Sequence, residues 1–144
     1  MKIIFSMHCM TKYYVDTCIW LNLFNKEQRK VQNLPVWKIA ELFLEQYPGN
    51  LIVSNKVIKE ISSKIFSEQL QRIAESAYLV EATQEEFSFA QEIESKERYQ
   101  ISFFDCIHIA ICTKRNYILI TRDKELLERA KAYVTAGTPE QFLY

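Results

Sequence analysis

The stretch from Ile101 to Asp123 constrains this chain more than any other. Ser102-Phe103-Phe104-Asp105 has capping-box spacing and opens an apolar helical run through Ile107, His108, Ile109 and Ile111 to Cys112. Lys114-Arg115-Asn116 then leads into Tyr117-Ile118-Leu119-Ile120, an almost continuously apolar strand of the kind found inside a parallel sheet. Thr121-Arg122-Asp123 closes it. A helix with a carboxylate near its start and a buried strand with a carboxylate at its end are thus joined by one short turn. A chain containing such a unit is expected to be an α/β protein.

The remaining segments repeat that alternation. Tyr13-Tyr14-Val15 reads as a strand ending on Asp16, and Thr17 to Phe24 takes up helical spacing. Lys26 to Asn33 is polar and reads as a loop. Val36 to Gln46 is a helix closed by Pro48-Gly49, and Leu51-Ile52-Val53 is a short buried strand. Ser54 caps a helix expected over Asn55 to Phe66, and a further helix covers Ser67 to Glu75. Ala77 to Val80 is a strand, and Thr83 to Glu86 forms a capping box for a helix reaching about Glu94. After Asp123 come a helix from Lys124 to Lys131, a strand over Ala132 to Thr135, and a short final helix opened by Thr138-Pro139. This order predicts a three-layer α/β/α sandwich around a central, mainly parallel sheet.

The length of 144 residues suits one domain, with residues 1–10 expected as an N-terminal extension and 11–144 as a single unit. Two Gly and three Pro against 49% hydrophobic residues exclude a low-complexity or disordered chain. A formal net charge of zero excludes a generic duplex-coating protein, so nucleic-acid contact must come from local patches. Cys9, Cys18, Cys106 and Cys112 contain no CxxC pair, no secretory signal is evident, and no apolar run is long enough for a membrane span. A reduced, cytoplasmic setting is expected.

Four acids occupy corresponding positions in this pattern. Asp16 and Asp123 end strands, and Glu60 and Asp105 are expected in the early turns of helices that follow loops. Each has a bland reading: Asp16, Asp105 and Asp123 can be helix caps, and Glu60 can be a surface acid between Lys59 and Lys64. Ligands of open α/β sheets bind at the carboxyl ends of strands, so all four can also meet on one rim. Carboxylates crowded together oppose one another's ionisation, and a hard divalent cation removes that cost. Oxygen ligands point to Mg2+ or Mn2+ and to phosphodiester chemistry. His108 on its apolar face reads as a core histidine, and zinc is disfavoured for want of a helical Cys/His pair. No Gly-rich phosphate loop is present.

Val15-Asp16-Thr17, Val57-Ile58-Lys59-Glu60-Ile61, Phe104-Asp105-Cys106-Ile107-His108-Ile109-Ala110 and Ile118-Leu119-Ile120-Thr121-Arg122-Asp123 resemble, in order, the four motifs of PIN-domain ribonucleases. The likeness runs from about Thr11 to Thr135. It implies a Mg2+- or Mn2+-dependent endoribonuclease with Asp16, Glu60, Asp105 and Asp123 as its acidic site, Asp16, Asp105 and Asp123 holding metal and Thr17 and Thr121 in support. The small size resembles VapC-like toxins, which implies a homodimer and a cognate antitoxin. Lys114, Arg115, Arg122 and Lys124 are candidates for RNA-backbone contacts. The competing reading is a PIN-like module that binds RNA or protein without cutting. A phosphotransfer receiver fits less well, because Asp16 has no acidic neighbour.

Overall fold

The computed structural model describes residues 11–144; the expected N-terminal extension, with His8 and Cys9, lies outside the described residues. The strands are β1 (Tyr13–Val15), β2 (Lys30–Val31), β3 (Leu34–Pro35), β4 (Leu51–Ser54), β5 (Tyr78–Val80), β6 (Ile118–Ile120) and β7 (Ala136–Gly137). The helices are α1 (Thr17–Phe24), α2 (Val36–Gln46), α3 (Asn55–Ile61), α4 (Ser67–Ser76), α5 (Gln84–Lys96), α6 (Phe103–Arg115) and α7 (Lys124–Ala130), followed by a 3-10 turn at Pro139–Phe142.

Five strands form one wholly parallel sheet in the order β5-β4-β1-β6-β7. The chain leaves β1 for β4 and β5 on one side, then returns across β1 to β6 and β7 on the other. With right-handed crossovers, α1 to α4 fall on one face and α5 to α7 on the opposite face. This is the expected α/β/α sandwich. Its middle strands are buried on both sides: every residue of β1 and β4 is buried. Helix α6 is buried without a break from Cys106 to Cys112, because α5 packs over the side that faces away from the sheet. Among the described residues no helix is long and apolar enough to cross a membrane.

Three local expectations need correction. The polar stretch Lys26 to Asn33 contains β2 and opens a tight hairpin, in which Gln32 (φ 53°) and Asn33 (φ 68°) both take the left-handed conformation that a two-residue turn requires. The helix expected over Asn55 to Phe66 stops at Ile61, where the Lys64 amide turns back to the Ile61 carbonyl and a new helix starts after Phe66. The last strand is Ala136–Gly137, not Ala132 to Thr135, because α7 ends in a turn that occupies the earlier residues. Gly137 is required there: a Cβ on it would come within 2.7 Å of the Phe142 ring.

Candidate active site

The site begins with sheet register. Val15 pairs with Ile120, so Asp16 and Thr121 leave the sheet side by side, and the Asp16 amide donates to the Ile120 carbonyl at 3.0 Å. The connections from β1 and from β6 run in opposite directions, which makes this rim the topological switch point where open α/β sheets bind ligands. The Asp16 carboxylate accepts the Thr17 amide on Oδ1 and the Thr121 hydroxyl on Oδ2, each at 2.8 Å. The Cys18 thiol, 3.6 Å from Oδ2, is pushed up to about 12 by burial and by the Asp16 charge, so it stays a neutral donor.

Glu60 arrives from α3. Its Oε1 accepts from the Thr17 hydroxyl at 3.2 Å and from His108 Nε2 at 3.1 Å. The same Nε2 lies 3.9 Å from Asp16 Oδ1, so ligand atoms of Asp16, Glu60 and His108 share a space within 4.8 Å. Burial acts to raise the Glu60 pKa, but the His108 and Thr17 hydrogen bonds outweigh it and hold the group below the usual carboxylate range. His108 is fully buried. Burial acts to lower its pKa; the Glu60 bond and the charges of Asp16, Glu60 and Asp105 prevail and raise it. Its Nδ1 lies 2.6 Å from the Tyr14 hydroxyl, which lies 2.6 Å from Ser54 Oγ.

Asp105 and Asp123 stand outside that trio and face it electrostatically. Asp105 is pushed up to about 6, first by burial and then by the Asp16 and Asp123 charges, against the opposing pull of His108 and the Ser102 hydroxyl. Its amide is capped by Ser102 Oγ at 3.1 Å. Asp123 is exposed and does cap a helix: Oδ1 accepts the amides of Glu125 and Leu126 at 3.1 and 3.2 Å. Asp123 therefore caps a helix while its charge still reaches Asp105.

Two of the four basic candidates are taken up inside the protein. Arg115 forks onto Glu86 at 2.7 and 2.9 Å and donates to the Glu81 carbonyl. Arg122 forks onto Glu140 at 2.7 and 3.1 Å, with both side chains largely buried. Neither guanidinium is offered to a phosphate, because each is closed by a planar bidentate partner. Lys114 pairs with Glu85 and lies over the Phe89 ring at the far end of α6 from Asp105. Lys124 is exposed, one residue from Asp123.

The donor chemistry fits a hard divalent cation. Asp16 and Glu60 gather at one imidazole, and Asp105 keeps its proton to higher pH because burial and the Asp16 and Asp123 charges outweigh the pull of His108, an excess of acid that a cation would relieve. His108 fits poorly as a ligand, since its Nε2 is taken up by Glu60 and its Nδ1 by Tyr14.

The PIN domain family model matches residues 13–132. This chain belongs to the PIN-domain family. Among curated proteins there is no match. Solved structures with the same fold include a toxin–antitoxin complex from Klebsiella pneumoniae (20% identity, 89% of this chain and 98% of that chain, TM-score 0.66). Another is the sarcin–ricin loop cleaving toxin VapC20 from Mycobacterium tuberculosis (18% identity, 85% and 97%, TM-score 0.65). DNA-bound VapBC from Salmonella typhimurium matches at 12% identity over 90% and 98%, with a TM-score of 0.67. This PIN domain therefore shares the VapC architecture.

Sequence reasoning did not include Tyr14, Ser54 or His108 in the site. A signal was present for each. Tyr14 and Asp16 lie two apart along an extended segment and share a side of it, and His108 lies one helical turn beyond Asp105. Ser54 was legible only as a cap.

Proposed function

We propose that this PIN domain is a divalent-metal-dependent endoribonuclease that hydrolyses RNA phosphodiester bonds as the toxin of a toxin–antitoxin pair. The observation that carries the reading is the meeting of Asp16 and Glu60, from separate βα units, through Thr17 and His108 at the switch point of the sheet. Asp16, Asp105 and Asp123 are the residues that would hold Mg2+ or Mn2+. When bound, the cation supplies Lewis-acid polarisation of the phosphodiester and charge stabilisation in the transition state. Glu60, kept ionised by its hydrogen bonds, orients the attacking water and accepts its proton. Thr17 and Thr121 hold Glu60 and Asp16 in place.

RNA is favoured as substrate because one protein of the same fold is a toxin that cleaves the sarcin–ricin loop. Complexes of the same architecture with antitoxins favour a small protein inhibitor, and a guanidinium from such a partner has the charge and fork to enter the acidic rim. Self-association is supported by Phe66, Tyr78 and Leu79, which among the described residues expose apolar surface at or near β5, the outermost strand on its side of the sheet. The three described cysteines are free, as a reducing cytoplasm requires.

The test is to incubate purified protein with mixed RNAs and Mn2+, with and without a chelator, beside Asp16→Asn. Chelator-sensitive fragments lost by more than about 100-fold in the variant are expected, since even outer-shell partners of a metal are worth 10- to 100-fold. Undiminished cleavage by Asp16→Asn, or none by the parent protein, sinks the proposal.

A further inference from the structure

The side chains behind Glu60 form a closed chain of hydrogen bonds whose direction can be worked out from donor and acceptor counts. Ser54 Oγ accepts the amides of Lys56 and Val57 at 3.2 and 3.3 Å, as N-cap of α3. A hydroxyl has two lone pairs and one proton, so Ser54 is left to donate, and its neighbour is the Tyr14 hydroxyl at 2.6 Å. With its oxygen receiving that proton, Tyr14 donates its own to His108 Nδ1, also at 2.6 Å. The imidazole proton is thereby placed on Nε2, facing Glu60 Oε1 at 3.1 Å. The chain ends on the helix where it began, since Ser54 caps α3 and Glu60 lies on it.

From this geometry we infer that His108 is a positioning residue for Glu60, and that Tyr14 and Ser54 act through it by fixing the ring and its tautomer. The assignment rests on the nuclease reading for its catalytic consequence, though not for its geometry. Tyr14, Ser54 and His108 are all fully buried, so water cannot replace a missing member of the chain. Three elements that are distant in sequence, β1, the β4–α3 junction and α6, are tied together at one carboxylate. Both bonds to Glu60 fall on Oε1, and the side chain is still 31% exposed, so Oε2 is left to take a water molecule. A carboxylate held by one oxygen and presenting the other is arranged to orient a water molecule.

Two measurements test the inference separately from the nuclease reading. The chain contains two histidines, His8 and His108, so imidazole nitrogen resonances can be assigned by comparing the parent protein with His8→Gln. A protected Nε2–H on His108 with an unprotonated Nδ1 is expected, and its protection should be lost in Glu60→Ala, which removes the acceptor, and in Tyr14→Phe. The opposite tautomer, or an imidazole indifferent to both substitutions, overturns the inference whether or not the protein cuts RNA. In the second measurement, Tyr14→Phe should lower kcat about 10- to 100-fold with KM and Mn2+ affinity by calorimetry nearly unchanged, and with a melting temperature lower by a few degrees because Ser54 and His108 lose a buried partner. Placed on Glu60→Gln, the same substitution should cost nothing further, because its effect passes through Glu60. His108→Gln, which keeps an N–H within reach of Glu60, should retain more activity than His108→Leu. Independent, multiplying losses in the double variant refute the positioning role; absence of both Mn2+ binding and cleavage in the parent protein refutes the nuclease reading alone.

Discussion

The two ends of α6 carry charge in opposite ways. At its C-terminal end Arg115 forks onto buried Glu86, Lys114 meets Glu85, and each acid has a base in contact. At its N-terminal end Asp105 and His108 face Asp16, Glu60 and Asp123, and the acids outnumber the single imidazole. Both ends suit the helix dipole, with acid near the start and base near the finish. What separates them is closure. For Glu86, burial acts to raise the pKa, but Arg115 overcomes it and holds the group down. For Asp105, burial and neighbouring acids act together and push it up to about 6. A charge cluster completed from within the chain serves the fold; one that is left negative has room for a ligand.

The largest expected effect breaks the open end. Asp105→Asn should reduce metal-dependent RNA cleavage by more than about 100-fold while leaving the metal-free protein at least as stable as its parent. Cleavage assays beside thermal melts check this, and a destabilised, active variant would contradict it. The closed end should respond in the reverse sense. Glu86→Ala strands Arg115 and should cost roughly 2–3 kcal/mol of stability, at the lower end for a buried pair because Arg115 keeps some solvent contact. Denaturant unfolding measures that loss, and Mn2+ affinity should not change.

The pH dependence sharpens the same contrast. Asp105 keeps its proton in the folded protein up to about 6, whereas the unfolded chain loses it near 3.8. Its folded pKa is raised, so its contribution is fully present below about pH 4 and is lost as pH rises through about 6. The metal-free protein should lose roughly 1–2 kcal/mol from this group over that interval, after a discount for partial exposure. Melting curves at pH 4.5 and 7 test the sign. Asp105→Asn should remove this part of the slope, and Mn2+ should offset it at pH 7. The smallest effect belongs to the exposed cation beside the site. Lys124→Ala should weaken RNA binding a few-fold and lower the salt slope by about one counterion, with cleavage chemistry intact.

Much of the fold was legible because apolar periodicity reports burial directly. The β1, β4 and β6 runs, the α5 capping box at Thr83 and Glu86, and the cap at Ser54 all stand where their patterns place them. The hairpin turn at Gln32-Asn33 was hidden because neither residue is glycine, although both carry positive φ. The early end of α3 was hidden because Ile65 continues the apolar arc after the backbone has turned. At the candidate site, the four acids could be picked out as candidates from strand and helix ends, and the structure brings Asp16 and Glu60 together there. The fate of Arg115 and Arg122 could not, since Glu86 and Glu140 reach them only through packing.

By itself the sequence determined the alternation of strands and helices, the helix caps and the placement of acids at chain reversals, since all of these depend on residues a few positions apart. Only the tertiary structure decided that β6 lies against β1 and not at an edge, which brings Thr121 to Asp16. It also decided that a histidine with the look of a core residue holds Glu60, and which charges are cancelled internally. The reason is that hydrogen bonding and Coulomb attraction act over a few ångströms of space, and chain order does not fix which distant groups share it.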